Sequence, residues 1–369
     1  MFIDVFQRIQ DFEFESVAIL DGWNSLIIEE NYYSCNTFEL KIPLTKENVW
    51  NFQPENAFLF DGLFYYVDGI SSDGKAITIR GKSLAGKFGG RVIDRIYIAK
   101  KSPSQIVYDH FNQEMIAPAD YVDSTGSFSG VNRKVNYLSL AAVGDLGMVP
   151  IDYQTSYQQV QEQIEKLCKT YDFGFKEVAV DSAAPKNQIE IYKGRDLSNV
   201  IEISDDFENL VDVSYEHNNF DEMTTAYVYG EGDGAERAKV IVNPNLSGLE
   251  RKELSIDARD LRSESDDPEA EPIPPAQYIN MLIDRGNQKL AEQLSILTMN
   301  GEIELNSKLF KFKTDFDVGD RIKISSSLYQ FSKVVTIVKA RKTYDEKGEF
   351  VELVFDKETP TVFEILGRK

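Results

Sequence analysis

The chain has 369 residues, of which 42% are apolar and 12% aromatic, enough to bury cores in roughly two to four modules of ordinary size. Sixty-one acidic against forty basic residues give a net charge of -21, which repels polyanions and sets aside sequence-specific nucleic-acid binding. Two histidines and two cysteines weigh against a His/Cys metal centre or a disulfide framework. The start, Met1 to Phe6, lacks the basic and apolar blocks of a secretory signal, and no run is long enough to cross a bilayer.

From residue 1 to 97 the pattern is strands and turns. Phe38, Leu40, Ile42 and Leu44 alternate with Glu39, Lys41 and Pro43, so one face is buried and one is wet. Phe58 and Phe60, then Phe64 to Asp68, flank the turn Asp61-Gly62, and Asp73-Gly74 precedes the alternating Ile77 and Ile79. Short strands at close spacing predict a first small β-barrel.

Residues 98–205 read as a mixed α/β module. Ser102 can cap a helix that has Pro103 at its first position and Gln105 able to reach back, with Ile106, Val107, His110 and Phe111 on one face. His110 could serve as a general base, but a lone histidine among helix apolars reads first as a packed ring. A polar stretch, Asp120 to Lys134, leads on to a second helix capped by Thr155 or Ser156, whose Val160, Ile164, Leu167 and Cys168 keep the helical period. Cys168 then faces a core without a partner base, as does Cys35 in its strand-like run, so neither reads as a nucleophile. Strands follow at Phe173 to Val180 and Ile189 to Tyr192.

Residues 206–250 and 300–360 predict a second β-barrel, interrupted at 251–299 by an acidic loop and a helix. Val211, Val213 and Tyr215 alternate, and Tyr227 to Tyr229 then feed a glycine turn, Gly230-Glu231-Gly232-Asp233-Gly234, with Arg237 beyond it. Glu231, Asp233 and Glu236 disfavour a phosphate, no Lys-Ser pair follows, and no helical period begins. Gly230, Gly232 and Gly234 are therefore read as serving backbone geometry. In the insertion, Asp266, Asp267, Glu269 and Glu271 do not have calcium-loop spacing. The helix after Pro275 is predicted to bury Ile279, Ile283, Leu290 and Leu294, with Gly286 as a weak point, and to pack on the mixed module. Phe310 and Phe312 alternate with Lys311 and Lys313, Val318-Gly319-Asp320 forms a turn before Ile322 and Ile324, and Val334 to Arg341 pairs with Val351 to Phe355.

Gly230 to Arg237, Gly248-Leu249-Glu250-Arg251-Lys252-Glu253 and Asp257-Ala258-Arg259-Asp260, in that order, resemble the central block of the Tal-type tail-tip hub proteins of long-tailed bacterial viruses. Ile77 to Lys87 with Arg91-Val92-Ile93, and Asn36 to Pro43, resemble two further blocks of that family. The resemblance implies an α+β, mostly β fold with two small barrels and an inserted mixed module. It implies a structural virion protein of the tail tip, made in the bacterial host cytoplasm. Its partners would be two further copies in a homotrimeric ring, a six-fold tail tube or distal tail protein, the tape-measure protein, and receptor-binding or fibre proteins. No residue is assigned as catalytic, cofactor-binding or metal-ligating, and no cofactor is expected. Two alternatives stay open: a cell-wall glycosidase, which needs only two carboxylates among sixty-one acidic residues, and a glycan-binding receptor protein using exposed aromatics.

Overall fold

The computed structural model describes residues 2–10, 13–123, 125–181, 185–204, 211–263, 272–293, 296–304 and 310–355. It opens with β1 (Ile3–Gln10), β2 (Glu13–Leu20), β3 (Ser25–Asn31) and β4 (Thr37–Pro43). After the short helix α1 (Lys46–Asn51) come β5 (Ala57–Phe60), β6 (Leu63–Ser72) and β7 (Ala76–Ser83). The alternation in β4 buries Phe38, Leu40 and Ile42 as expected, while Leu44, beyond the strand, is exposed. Asp61 and Gly62 both take positive φ, the geometry that lets a two-residue turn join twisted antiparallel strands.

The mixed module runs through β8 (Ile96–Lys101), α2 (Pro103–Phe111), β9 (Tyr121–Asp123), β10 (Gly126–Phe128) and β11 (Leu138–Leu140). It continues with β12 (Ile151–Ser156), α3 (Val160–Tyr171), β13 (Gly174–Asp181) and β14 (Lys186–Tyr192). Ser102 Oγ accepts from the Gln105 amide and Pro103 opens α2, as the sequence requires. The polar stretch after α2 contains the β9–β10 hairpin. One expectation is corrected: Thr155 and Ser156 end β12, so the residue at the start of α3 is Gln159. The apolar face of α3 is as read: Val160, Ile164, Leu167 and Cys168 are fully buried.

The remainder is β15 (Glu202–Ser204), β16 (Val211–Asn218), β17 (Thr225–Tyr229), β18 (Lys239–Val242), β19 (Glu253–Asp257) and the helix α4 (Pro275–Ala291). After it come β20 (Ile296–Glu304), β21 (Arg321–Ser326), β22 (Phe331–Asp345) and β23 (Gly348–Phe355). Phe310 to Lys313 is not a strand: Lys311 and Lys313 enter tight turns with Asp315 and Phe316, and Lys313 has φ 69°. The buried face of α4 also differs from its apolar count. Tyr278, Met281, Leu282 and Leu290 are buried, whereas Ile279 and Ile283 are 39% and 36% exposed. Gly286 is the point of closest packing, since a Cβ there would lie 2.6 Å from Val242 and 2.9 Å from Val228. Leu294 lies outside the described residues.

The two β-rich regions expected as separate barrels are hydrogen-bonded into one open sheet of 13 strands. Its main path is β16-β20-β23-β22-β3-β4-β7-β6-β5-β1-β2, and among the described residues no pairing closes either half into a barrel. Strands β17 to β19 form their own three-stranded sheet, packed with α4 around Ala226, Val228, Ile256 and Leu282.

The large sheet contains an internal repeat. Numbered in chain order, β3, β4, β5, β6 and β7 lie side by side as first, second, fifth, fourth and third, and β16, β20, β21, β22 and β23 lie in that same order. The match extends to detail. In β6 the register against β7 slips by one residue between Val67 and Gly69, and in β22 the register against β23 slips between Ile337 and Lys339. Glu55, at φ 79°, donates its amide to Val67 O, and Val67 donates to Asn56 O; Gly319, at φ 92°, donates to Ile337 O, and Ile337 donates to Asp320 O. Phe58 and Phe60 face one core where Ile322 and Ile324 face the other. A shared bulge and a shared left-handed corner bend both halves alike.

Candidate assembly interface

The two repeats meet at one seam, where residues 339–345 of β22 pair antiparallel with all of β3. Charge is concentrated there. Lys342 Nζ stands 2.7 Å from Glu30 Oε1 and 2.9 Å from Asp61, and Lys313 Nζ stands 2.5 Å from the other Glu30 oxygen. Lys339 and Arg341 both approach Glu29, at 3.5 and 3.9 Å. Burial alone would raise the Glu30 carboxyl, but Lys342 and Lys313 hold it below its usual range. Burial likewise opposes the charge on Lys342, and Glu30 reverses that and raises it. The seam is thus a set of mutually neutralised ions on top of a backbone ladder.

Each repeat has one strand at the position this seam uses in the other. In β6 the edge opposite β7 is covered by β5 only over Leu63–Tyr66, which leaves Gly69–Ser72 without a pairing strand on that side. In β16 the edge opposite β20 has no pairing strand. Both edges are unpaired among the described residues. An unpaired, regular strand edge is a template for another chain.

The glycine stretch joins β17 to β18 and is a structural node. Gly232 and Gly234 have positive φ, as glycine allows, but Gly230 does not; its constraint is space, because a Cβ there would lie 2.4 Å from the Tyr278 hydroxyl. That hydroxyl accepts from the Glu231 amide and donates to Leu261 O. Arg237 donates to Gly230 O and Tyr229 O and pairs with Asp257 at 2.6 Å, while Glu231 accepts from the amide and hydroxyl of Ser263. The Glu231 carboxylate thus holds the loop against the chain after β19, and the Tyr278 hydroxyl holds its backbone against α4.

His110 is fully buried between the rings of Tyr97 and Tyr153, with centroids at 4.8 and 6.1 Å, and neither ring nitrogen has a hydrogen-bond partner. Burial pushes it down to about 3, so it is a neutral packed ring. Cys35 and Cys168 are both buried free thiols that burial raises, Cys35 to about 12. Neither thiol has the lowered pKa of a nucleophile. Among the described residues no group of His, Cys, Asp and Glu could hold a metal ion, and no helix is long and apolar enough to cross a membrane. Signals that sequence reading missed are the seam ions: Lys342 and Lys313 stand in strand-like runs where lysine reads as solvated.

The mostly-β fold with few helices is similar to that of phage and prophage tail proteins of known structure. A tail protein from Neisseria meningitidis MC58 matches with a TM-score of 0.54 at 11% identity, covering 97% of each chain. The prophage MuSo2 43 kDa tail protein of Shewanella oneidensis matches at 0.55 and 11%, over 96% of this chain and 97% of its own. The prophage tail protein gp18 of Listeria monocytogenes EGD-e matches at 0.52 and 13%, over 99% and 97%. The chain belongs to the Siphovirus ReqiPepy6 Gp37-like protein family, whose model matches residues 6–355. No curated protein sequence matches it.

Proposed function

We propose that this tail protein is the Tal-type hub of a siphovirus tail tip: three copies form a ring that joins the six-fold tail tube or distal tail protein to the tip. The observation that carries this reading is the internal repeat. A chain that presents one strand arrangement twice, at equivalent positions either side of a seam, lets a three-fold ring offer six near-equivalent faces to a six-fold partner. Each repeat, continued by its neighbours, would supply one of two barrel-like sectors per copy, with residues 98–205 as the inserted module and 251–299 as an acidic loop and helix insertion. The acidic net charge suits a channel that tape-measure protein and DNA pass without sticking. Receptor-binding or fibre proteins would attach outside the ring, and the virion tail tip is the expected location.

The role is structural and not enzymatic. The engagement of the Glu231 carboxylate by Ser263 and the neutral, enclosed His110 favour this reading over a glycosidase or a glycan-binding receptor. Counting copies in purified tails tests it: three copies on the tail axis facing a six-fold partner are expected. Six copies, or a peripheral position, would overturn it, and so would loss of a cell-wall-clearing activity on a single Asp or Glu substitution.

A further inference from the structure

The seam inside one copy is a template for the contact between copies, an inference that rests on the ring reading above. We infer that Gly69–Ser72 of β6 in one copy pairs with β16 of the next, in the register β22 uses on β3, and that this second seam lacks the ions of the first. The register follows from the repeat residue by residue. Ile70 pairs with Ile79 as Ala340 pairs with Leu353, which sets Lys339 to Lys342 level with Gly69 to Ser72. Leu40 pairs with Ile79 as Gly301 pairs with Leu353, and counting back along β4 and β20 sets Phe38 level with Met299. Their partners Ile28 and Tyr215 are then equivalent, as are Glu29 and Glu216, and Asn31 and Asn218.

Inside one copy Lys339, Ala340, Arg341 and Lys342 face Asn31, Glu30, Glu29 and Ile28. Between copies, Gly69, Ile70, Ser71 and Ser72 therefore face Asn218, His217, Glu216 and Tyr215. The occupant is a second copy because only this chain carries both strands in the pairing already realised within it. Ser71, Ser72 and His217 are exposed, ready to be covered. The ionic content is not repeated: Arg341 opposite Glu29 becomes Ser71 opposite Glu216, and Lys342 beside Glu30 becomes Ser72 beside His217. The ring accordingly parts between copies before it parts between repeats.

The test uses tails assembled from full-length chains carrying S71C with E216C or, separately, G69C with N218C; Gly69 has open space where a Cβ would go. Directly opposed strand residues have Cβ atoms within disulfide reach. Mild oxidation is expected to give a covalent three-copy species from at least one pair and none from the off-register pair S71C with N218C. Three copies per tail with neither link overturns the seam alone; another copy number overturns the ring reading and the seam with it. Ser71→Arg restores the missing charge and is expected to lower dissociation of the ring on dilution by up to about fivefold, the upper end of an exposed ion pair. An unchanged value overturns the claim that missing ions make this the weaker seam.

Discussion

Glu30 and Lys342 meet at 2.7 Å across the seam, with the lysine 4% exposed and the glutamate side chain 12% exposed. Removing either leaves the other short of one buried partner, with Lys313 still on Glu30 or Asp61 still on Lys342, and a buried charge short of a partner costs several kcal/mol while a pair of neutral replacements costs far less. Lys342→Met is therefore expected to lower stability by about 3 kcal/mol or more. The double variant Glu30→Gln/Lys342→Met should recover much of that loss. Denaturant unfolding of the four proteins measures it; a double variant as unstable as the sum of the singles would show that the two side chains act independently.

The glycines of the β17–β18 loop should separate by mechanism. Gly230→Ala drives a methyl into the Tyr278 hydroxyl and disturbs its two hydrogen bonds, so a loss of about 2 kcal/mol is expected. Gly234→Ala meets no atom and is limited to backbone strain at φ 55°, about 1 kcal/mol. Thermal or denaturant midpoints give the order, and Gly234→Ala costing more than Gly230→Ala would contradict it.

Asp284, on the buried side of α4, is pushed up to about 6 by burial, partly offset by hydrogen bonds from Tyr171 and Gln288 and by Arg285. An unfolded aspartate titrates near ~3.9, so between these values the folded chain holds the extra proton and stability falls as pH rises. Asp284→Asn removes that fall. The variant should gain about 1–2 kcal/mol at pH 7 and nothing below pH ~4, as read from unfolding across pH.

His110 has the opposite dependence. Its folded value of about 3 lies below the ordinary 6.5, mainly through burial, then Arg95, with Asp109 opposing. The unfolded chain takes up the proton first, so stability falls as pH drops from 6.5 toward 3. His110→Phe keeps a ring between Tyr97 and Tyr153 and should match the parent at pH 8 but exceed it by about 2 kcal/mol at pH 5. Equal curves at both pH values would mean that the imidazole is already charged when folded.

Local signals in the sequence were read well where one interaction decides the outcome. Period-two alternation located β4, the Asp61-Gly62 pair located its hairpin, and Ser102-Pro103 located the start of α2. Residues whose role is set by a distant partner misled. Gly286 counts as a flaw in a helix until Val228 and Val242 are seen against it, and this close approach turns the helix so that Ile279 and Ile283 face outward. Lys313 suggested a strand alternation because its partner Glu30 lies far away in the chain. The repeat is hidden because equivalent positions share burial and backbone angle but not residue type, with Val67 answering to Ile337, Phe58 to Ile322 and Glu55 to Gly319.

Tyr32, the first residue after β3, packs tilted against Tyr33 and edge-on against Tyr192, and receives a hydrogen bond from the Gly194 amide on its hydroxyl. A Cβ on Gly174 would lie 2.0 Å from its carbonyl oxygen, one on Gly319 would lie 2.5 Å from its ring, and one on Gly194 would lie 1.8 Å from Gly319 O. Three glycines from widely separated stretches thus share one tyrosine. The constraint differs among them: the ring of Tyr32 fills the space at Gly319, whereas backbone atoms of residues 32 and 319 fill it at Gly174 and Gly194, so a smaller residue at 32 would open space at 319 alone. Among related chains, a change at position 32 should accordingly travel with changes at 319, while 174 and 194 stay glycine because backbone atoms fill their space.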